Sequence, residues 1–294
     1  MSNLVLDLVT FDPGSPPSHV EAYAESVLQS VEQGWETGAD LVLLPEFTWM
    51  GLEPLVAAGG QAPLRSVAEV FWQQVLPRLL PRLNQAAGKA AVLGTAPCLQ
   101  PDGSITNRAF IVADGHLLFQ DKLHMTPWEA DFTPGSSMQL WAWRGWKVAV
   151  IICLDIEIPE LSARLRDSGV DLILCPSATE TVLGVERVNR CASARSVELG
   201  CYVGVSHLTG RAASELIDDN IGRAAFYRPS QAVFKDQPRH EETELVTAGS
   251  HRLRVSLNLR ALETMRRMTK ETNPAHLGRK CAGLERSICV QSVL

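Results

Sequence analysis

Two apolar runs, each handing over to a loop through one reactive side chain, constrain this chain more than any other feature. Leu41-Val42-Leu43-Leu44 leads into Pro45-Glu46, and Val148-Ala149-Val150-Ile151-Ile152 leads into Cys153-Leu154-Asp155. Short continuous apolar runs of this kind mark strands buried on both faces. Such strands build parallel sheets covered by helices, and ligands gather at the carboxyl edge of those sheets. A third segment, Lys122-Leu123-His124-Met125-Thr126-Pro127-Trp128-Glu129, opens where a hairpin strand ends. A base, a cation and a thiol delivered to loops in this way are the parts needed for nucleophilic attack on a carbon–nitrogen bond.

The remaining pattern alternates between the two periods. Leu4 to Phe11 reads as a strand and Asp12 to Pro17 as a turn-rich loop. Ser18 has the spacing of an N-cap with Glu21. Val20, Tyr23, Ala24, Val27, Leu28 and Val31 then recur at helical period, up to a stop near Gly34 or Gly38. Asp40 to Pro45 is a buried strand. Ser66 to Gln85 reads as a helix interrupted by Pro77 and Pro81, and Ala90 to Pro97 as another strand. Asn107 to Val112 pairs with Leu117 to Lys122 across Asp114-Gly115, a strong hairpin signal.

Further strands are expected over Trp146 to Cys153, Val170 to Cys175 and Tyr202 to Ser206, with Pro176 to Thr179 as a loop. Pro159 to Ser168 and Val185 to Leu199 are helical. Ala224 to Tyr227 and Ala232 to Phe234 read as a strand pair joined by Arg228-Pro229-Ser230. Leu245 to Thr247 and Leu253 to Leu257 add edge strands, and Arg260 to Met268 a last helix. This alternation predicts an α/β sandwich with sheets inside and helices outside. No linker or repeat divides the chain, so residues 1–294 are expected to form one domain, with a polar tail over 272–294.

Composition narrows the function classes. A formal net charge of -6 argues against nucleic acid or an anionic membrane as the main partner, since both call for a basic footprint. No apolar run reaches the length of a membrane span, and the start Met1 to Asp7 lacks the basic region of a signal peptide. The 7 cysteines are odd in number and scattered, with no CxxC pair. That speaks against a disulfide framework and a structural zinc site, and for reduced thiols in the cytoplasm. No Gly-x-Ser-x-Gly elbow and no Gly-x-Gly-x-x-Gly fingerprint is present, which disfavours a serine hydrolase and a dinucleotide-binding enzyme.

Taken singly, each reactive residue has an ordinary structural role open to it. A Cys in an apolar run is commonly a buried structural thiol. A Glu after a strand can be a cap or a surface acid, and a Lys at a strand end is usually exposed. As functional groups, Cys153 is the candidate nucleophile, Glu46 a general base in a partly dry pocket, and Lys122 a fixed ammonium for an oxyanion, joined by the backbone N–H of Leu154.

Together with their flanks these segments resemble the nitrilase superfamily, the carbon–nitrogen hydrolases. The family's Glu segment matches Leu43-Leu44-Pro45-Glu46. Its Lys segment matches Lys122, His124, Pro127, Glu129, Phe132 and Gly135. Its Cys segment matches Cys153, Asp155, Pro159 and Glu160. Asn107, the helix from Arg195 to Glu198 running into Cys201-Tyr202-Val203, and Gly222 with Ala224 fit in the same order.

The resemblance implies an αββα four-layer sandwich and a Glu46–Lys122–Cys153 triad with Glu129 as a second acid. It implies a thioester acyl-enzyme released by water with no cofactor and no metal. It also implies a homodimer or higher homo-oligomer in which sandwiches stack and the tail crosses the partner subunit. Leu154, where the family usually has an aromatic residue, departs from the pattern. So do Val9-Thr10-Phe11, Ile156-Glu157-Ile158 and Leu199, and these departures bear on the subfamily rather than on the chemistry.

For the substrate, the resemblance places pocket walls on the loops after these strands: Trp49, Trp128, Ser177, Ala178, Thr179 and His207. Arg187 and Arg190 are the nearest approach to a carboxylate clamp. The expected activity is amide hydrolysis with release of ammonia, on a small aliphatic, ω-amide or carbamoyl-amine substrate. A nitrilase or N-carbamoyl amine hydrolase on the same triad is the alternative. An acyltransferase or a non-catalytic binding protein on this fold is the alternative from another class.

Overall fold

The computed structural model describes residues 3–14, 18–57 and 62–268. The first sheet contains β1 (Asn3–Val9), β2 (Leu41–Leu44), β3 (Ala90–Leu99), β4 (Ile105–Ala113) and β5 (His116–Asp121). The second contains β6 (Leu140–Trp143), β7 (Trp146–Val150), β8 (Leu172–Ser177), β9 (Tyr202–His207), β10 (Ala224–Tyr227) and β11 (His240–Glu242). The chain then returns to the first sheet as β12 (Arg252–Asn258). The strand orders are β12-β1-β2-β3-β4-β5 and β11-β10-β9-β8-β7-β6. Parallel strands β1, β2 and β3 lie at the heart of one sheet, and β7, β8 and β9 at the heart of the other.

Strand periodicity decides which side chains meet. Leu41 and Leu43 of β2 join Leu4, Leu6 and Leu8 of β1 in the core between the sheets, against Leu172, Val203 and Val205. Val42 and Leu44 point the other way, into a second core with helix residues. That second core is closed by α1 (Val20–Glu36), α2 (Glu53–Val56), α3 (Leu64–Val70) and α4 (Leu76–Leu83). On the opposite side lie α5 (Pro159–Leu165) and α6 (Val182–Leu199), with α7 (Leu259–Arg267) following β12. The architecture is the expected four-layer sandwich. Gly204 lets the layers approach, since a Cβ there would press on Leu8. Buried Asp7 ties β1 to β12 through Arg252 and Arg254, each at 2.7 Å.

Local departures from the sequence reading have local causes. Helix α1 starts from His19 with no side-chain cap, so Ser18 does not cap it. Pro77 and Pro81 do not break the third helical region. A π-turn over Phe71–Val75 precedes Pro77 and absorbs the carbonyl that its ring would strike. Ala232–Phe234 is a 3₁₀ turn, and β10 pairs instead with β11. Leu245 to Thr247 contributes only a bridge between Gly222 and Val246. Strand β6 and its hairpin with β7 carry no turn signal in the sequence. Its turn is Arg144-Gly145, both at positive φ, where the usual Asn or Asp is missing. The Asp114-Gly115 hairpin forms as expected, with φ of 47° and 78°. The tail over 272–294 lies outside the described residues. No described helix is long and apolar enough to cross a membrane.

Candidate active site

The carboxyl ends of β2 and β7 arrive at the same place from opposite sheets. After β2 the chain turns sharply: Phe47 sits in the left-handed region at φ 56°, with its N–H donated to Thr95 Oγ1 at 2.8 Å. A 3₁₀ turn over Thr48–Leu52 follows. Gly94, at φ 73°, makes room for this turn, because a Cβ there would collide with the Pro45 carbonyl and with Thr48. The β3–β4 register shifts at this point, between Val92 and Thr95. After β7, Cys153 opens a second 3₁₀ turn over Cys153–Glu157, itself at φ 47°. Left-handed backbone costs a non-glycine residue about 1–2 kcal/mol, so the surrounding contacts must hold Phe47 and Cys153 there.

Lys122 follows β5 and is 1% exposed. Its ammonium donates to Glu46 Oε1 at 2.7 Å and to both Glu129 oxygens at 2.9 and 2.7 Å. Glu129 belongs to a short 3₁₀ turn with a capping box, and accepts from the Thr126 N–H at 2.9 Å and the Thr126 hydroxyl at 2.7 Å. Asn107 Nδ2 donates to Glu46 at 3.0 Å and to Glu129 at 3.3 Å. The second Glu46 oxygen accepts the Ala178 N–H at 3.1 Å, and the Cys153 thiol donates to the Ala178 carbonyl at 3.4 Å. Ala178 therefore touches both the acid from the first sheet and the thiol from the second.

The Cys153 turn is fixed from two sides. Asp155 accepts the Leu123 N–H at 2.9 Å and holds His124 Nδ1 at 2.8 Å, which pins the residues next to Lys122. Arg195 of α6 donates to the Ile156 carbonyl at 3.2 Å.

Burial sets the protonation tendencies. It pushes the Glu46 carboxyl up to about 7; Lys122 opposes this and Glu129 reinforces it. It pushes the Cys153 thiol well above its usual range, helped by the Glu46 charge and resisted by Lys122. Burial works against the Lys122 charge, but Glu46, Cys153 and Glu129 together raise its pKa above that of an ordinary lysine.

A cavity of about 120 Å³ opens over these groups and includes Glu46, Lys122, Glu129, Cys153 and Leu154. Of the residues expected as pocket walls, Trp128, Ala178 and Thr179 line it. Trp49, Ser177 and His207 do not. Trp49 is fully buried against Tyr23 and Phe71, with its indole N–H on the Leu93 carbonyl at 2.8 Å. It packs the turn after Glu46 onto β3 rather than facing a substrate. Ser177 is the last residue of β8 rather than part of a loop, and its hydroxyl sits 3.5 Å from the Cys175 sulfur. His207 ends β9, fully buried behind Thr179. Phe47, Thr126, Glu157, Val188, Leu216 and Asn220 also line the cavity, beyond the residues the sequence points to. Arg187 reaches the rim, paired with Glu157 at 3.2 Å, while Arg190 pairs with Glu186 and stays outside. No motif marks these further positions, because distant loops bring them together.

The model of the carbon-nitrogen hydrolase family matches residues 11–254. The chain belongs to the carbon-nitrogen hydrolase family. Among curated relatives it is 30% identical to a probable hydrolase, YhcX, of Bacillus subtilis, over 60% of this chain and 36% of that protein. It is 35% identical to an (R)-stereoselective amidase of a Pseudomonas species, over 46% of this chain and 47% of that one. The chain thus spans about a third to a half of the length of these two relatives. Its fold superposes on Nit3 of Saccharomyces cerevisiae, a nitrilase-superfamily member, with TM-score 0.69 at 20% identity, covering 92% of this chain and 96% of Nit3. An amidase is thus among the relatives that this family member resembles.

Proposed function

We propose that this carbon-nitrogen hydrolase is an amidase that cleaves a small amide through a Cys153 thioester and releases ammonia. The observation that carries this reading is the single contact network in which Lys122 bridges Glu46 and Glu129 beneath the cavity that holds Cys153. Glu46, poised near neutrality, takes the thiol proton as the sulfur bonds to the amide carbon. The carbonyl oxygen becomes an oxyanion, held by the Lys122 ammonium and the Leu154 N–H. That N–H lies in the first turn of its 3₁₀ segment, ahead of the first intrahelical bond, from Asp155 to Ile152. Glu46 returns the proton to nitrogen, the carbon–nitrogen bond breaks and ammonia leaves. Water then attacks the thioester and loses its proton to Glu46. The carbon–sulfur bond breaks and Glu46 returns that proton to the sulfur, restoring the Cys153 thiol and its own carboxylate. Glu129 orients Lys122 throughout.

A cavity of about 120 Å³ suits a compact acyl group. The enzyme is also proposed to work as a homodimer, as the resemblance implies, and sedimentation velocity would read this directly.

The test is ammonia release from short aliphatic amides, ω-amides, carbamoyl amines and nitriles, for wild type beside Cys153→Ala. Release that vanishes in the variant, with an acyl adduct on wild type by intact mass, supports the reading. Full activity in Cys153→Ala would sink it. An adduct without hydrolysis, discharged only by an added amine, would make the protein a transferase. Lys122→Ala should lose at least about 10²-fold in kcat, the scale of a lost oxyanion donor.

A further inference from the structure

Among the fully buried ionisable side chains, His207 has no part in the steps above. It ends β9 beside Ser177 of β8, and a Cβ on Gly222 would collide with it, so that glycine makes room for the side chain. Its Nδ1 lies 3.2 Å from Thr179 Oγ1. The Thr179 hydroxyl also lies 2.9 Å from the Ile221 carbonyl, which can only accept. The hydroxyl therefore donates to the Ile221 carbonyl, and its oxygen accepts a hydrogen bond from His207 Nδ1–H. This assigns the Nδ1–H tautomer and leaves Nε2 as a bare acceptor, without a hydrogen-bond partner among the described residues. Burial, with Arg223 adding to it, lowers the His207 pKa to about 3, so the ring stays a neutral donor across the working range.

Thr179 is held on its backbone as well, by the Ile221 N–H on its carbonyl at 2.9 Å. The preceding residue is Ala178, whose N–H binds Glu46 and whose carbonyl receives the Cys153 thiol. We infer that His207 is a positioning residue: through its bond to the Thr179 hydroxyl it fixes the Ala178 peptide, and so aligns Glu46 with Cys153 for proton transfer. The inference rests on the assignment of Glu46 and Cys153 above. The charged and titratable groups facing Glu46 are Lys122, Glu129 and Cys153, and Arg223 is the one that acts on His207. Loss of the Ala178 N–H would remove a donor from the Glu46 carboxylate and raise its pKa further.

The experiment compares His207→Asn, which keeps a short N–H donor, with His207→Leu, which has none. Thr179→Val and the His207→Leu/Thr179→Val double variant complete a cycle. The readouts are kcat and KM on the best amide, the acid limb of the pH profile, and the pH dependence of Cys153 alkylation by iodoacetamide. His207→Leu should lose about ten-fold in kcat, with KM little changed and the acid limb displaced to higher pH. His207→Asn should restore most of both. The double variant should be no worse than the poorer single variant, because the two residues act in series.

Unchanged acid limbs in both Leu and Val variants would overturn the inference, as would fully additive losses. If His207→Leu fails to fold, Thr179→Val alone decides, since a wild-type pH profile there breaks the relay. Alkylation needs no turnover, so its pH dependence tests the positioning even if no amide is hydrolysed and the amidase reading itself fails.

Discussion

Glu46 shows how one residue couples chemistry to stability. Its pKa stands at about 7 in the folded chain against an ordinary 4.5, with burial the leading cause. Only the ionised form can take a proton, so kcat/KM should rise with pH through about 7 to a plateau. The apparent value belongs to the Glu46–Cys153 pair rather than to either group alone. A flat profile from pH 5 to 8 would contradict the role of base. For stability the sign runs the other way. Below pH 4.5 both folded and unfolded states hold the proton. Between 4.5 and about 7 the unfolded chain gives it up first, so this group makes stability fall as pH rises, and above about 7 the loss levels off. Glu46→Gln stays neutral throughout. Urea denaturation of both proteins from pH 4.5 to 7 should show the difference moving steadily in the variant's favour, alongside loss of activity.

At the scale of elements, the site depends on turns that strands alone do not specify. Gly94 is required where β3 passes under the Pro45-Glu46 turn, both for its positive φ and for its missing side chain. Gly94→Ala should destabilise by about 1–3 kcal/mol and depress kcat, because the turn that carries Glu46 must move. A thermal melt and a steady-state assay on the same sample would check both. Asp155 links the Cys153 turn to the start of the Lys122 loop through Leu123 and His124. Asp155→Ala leaves the Leu123 N–H without its partner, and should lower kcat by more than ten-fold with a smaller change in KM. A loss confined to KM would show that the link serves binding alone.

The whole molecule decides what charge the cavity presents. Its lining carries Glu46, Glu129, Glu157 and Glu180 against Lys122 and Arg187. Lys122 is engaged by two carboxylates, and Arg187 at the rim is already paired with Glu157. The surplus is negative, so neutral or cationic amides should be preferred to amides bearing a carboxylate. Glu157→Gln releases Arg187 and should lower KM for an ω-carboxylate amide several-fold relative to a neutral amide of equal length. An unchanged ratio would show that Arg187 does not reach the substrate.

The sequence alone determined the layers and marked the three segments that carry the candidate groups. Short apolar runs bounded by turn residues favour strands buried between covering layers, and Asp114-Gly115 favours a tight hairpin turn. The Glu46, Lys122 and Cys153 segments are contiguous, so their signals are local and survive without coordinates. Whatever joins distant loops was decided only by the tertiary structure. Trp49 and Trp128 look alike in sequence, yet one is sealed against Tyr23 and Phe71 and the other lines the cavity. His207 does not line the cavity, because Ser177 and His207 extend β8 and β9 past the expected ends and bury it. Ala178 reaches Glu46 across 132 positions of sequence. Such contacts follow from how two sheets pack face to face, which no local pattern encodes.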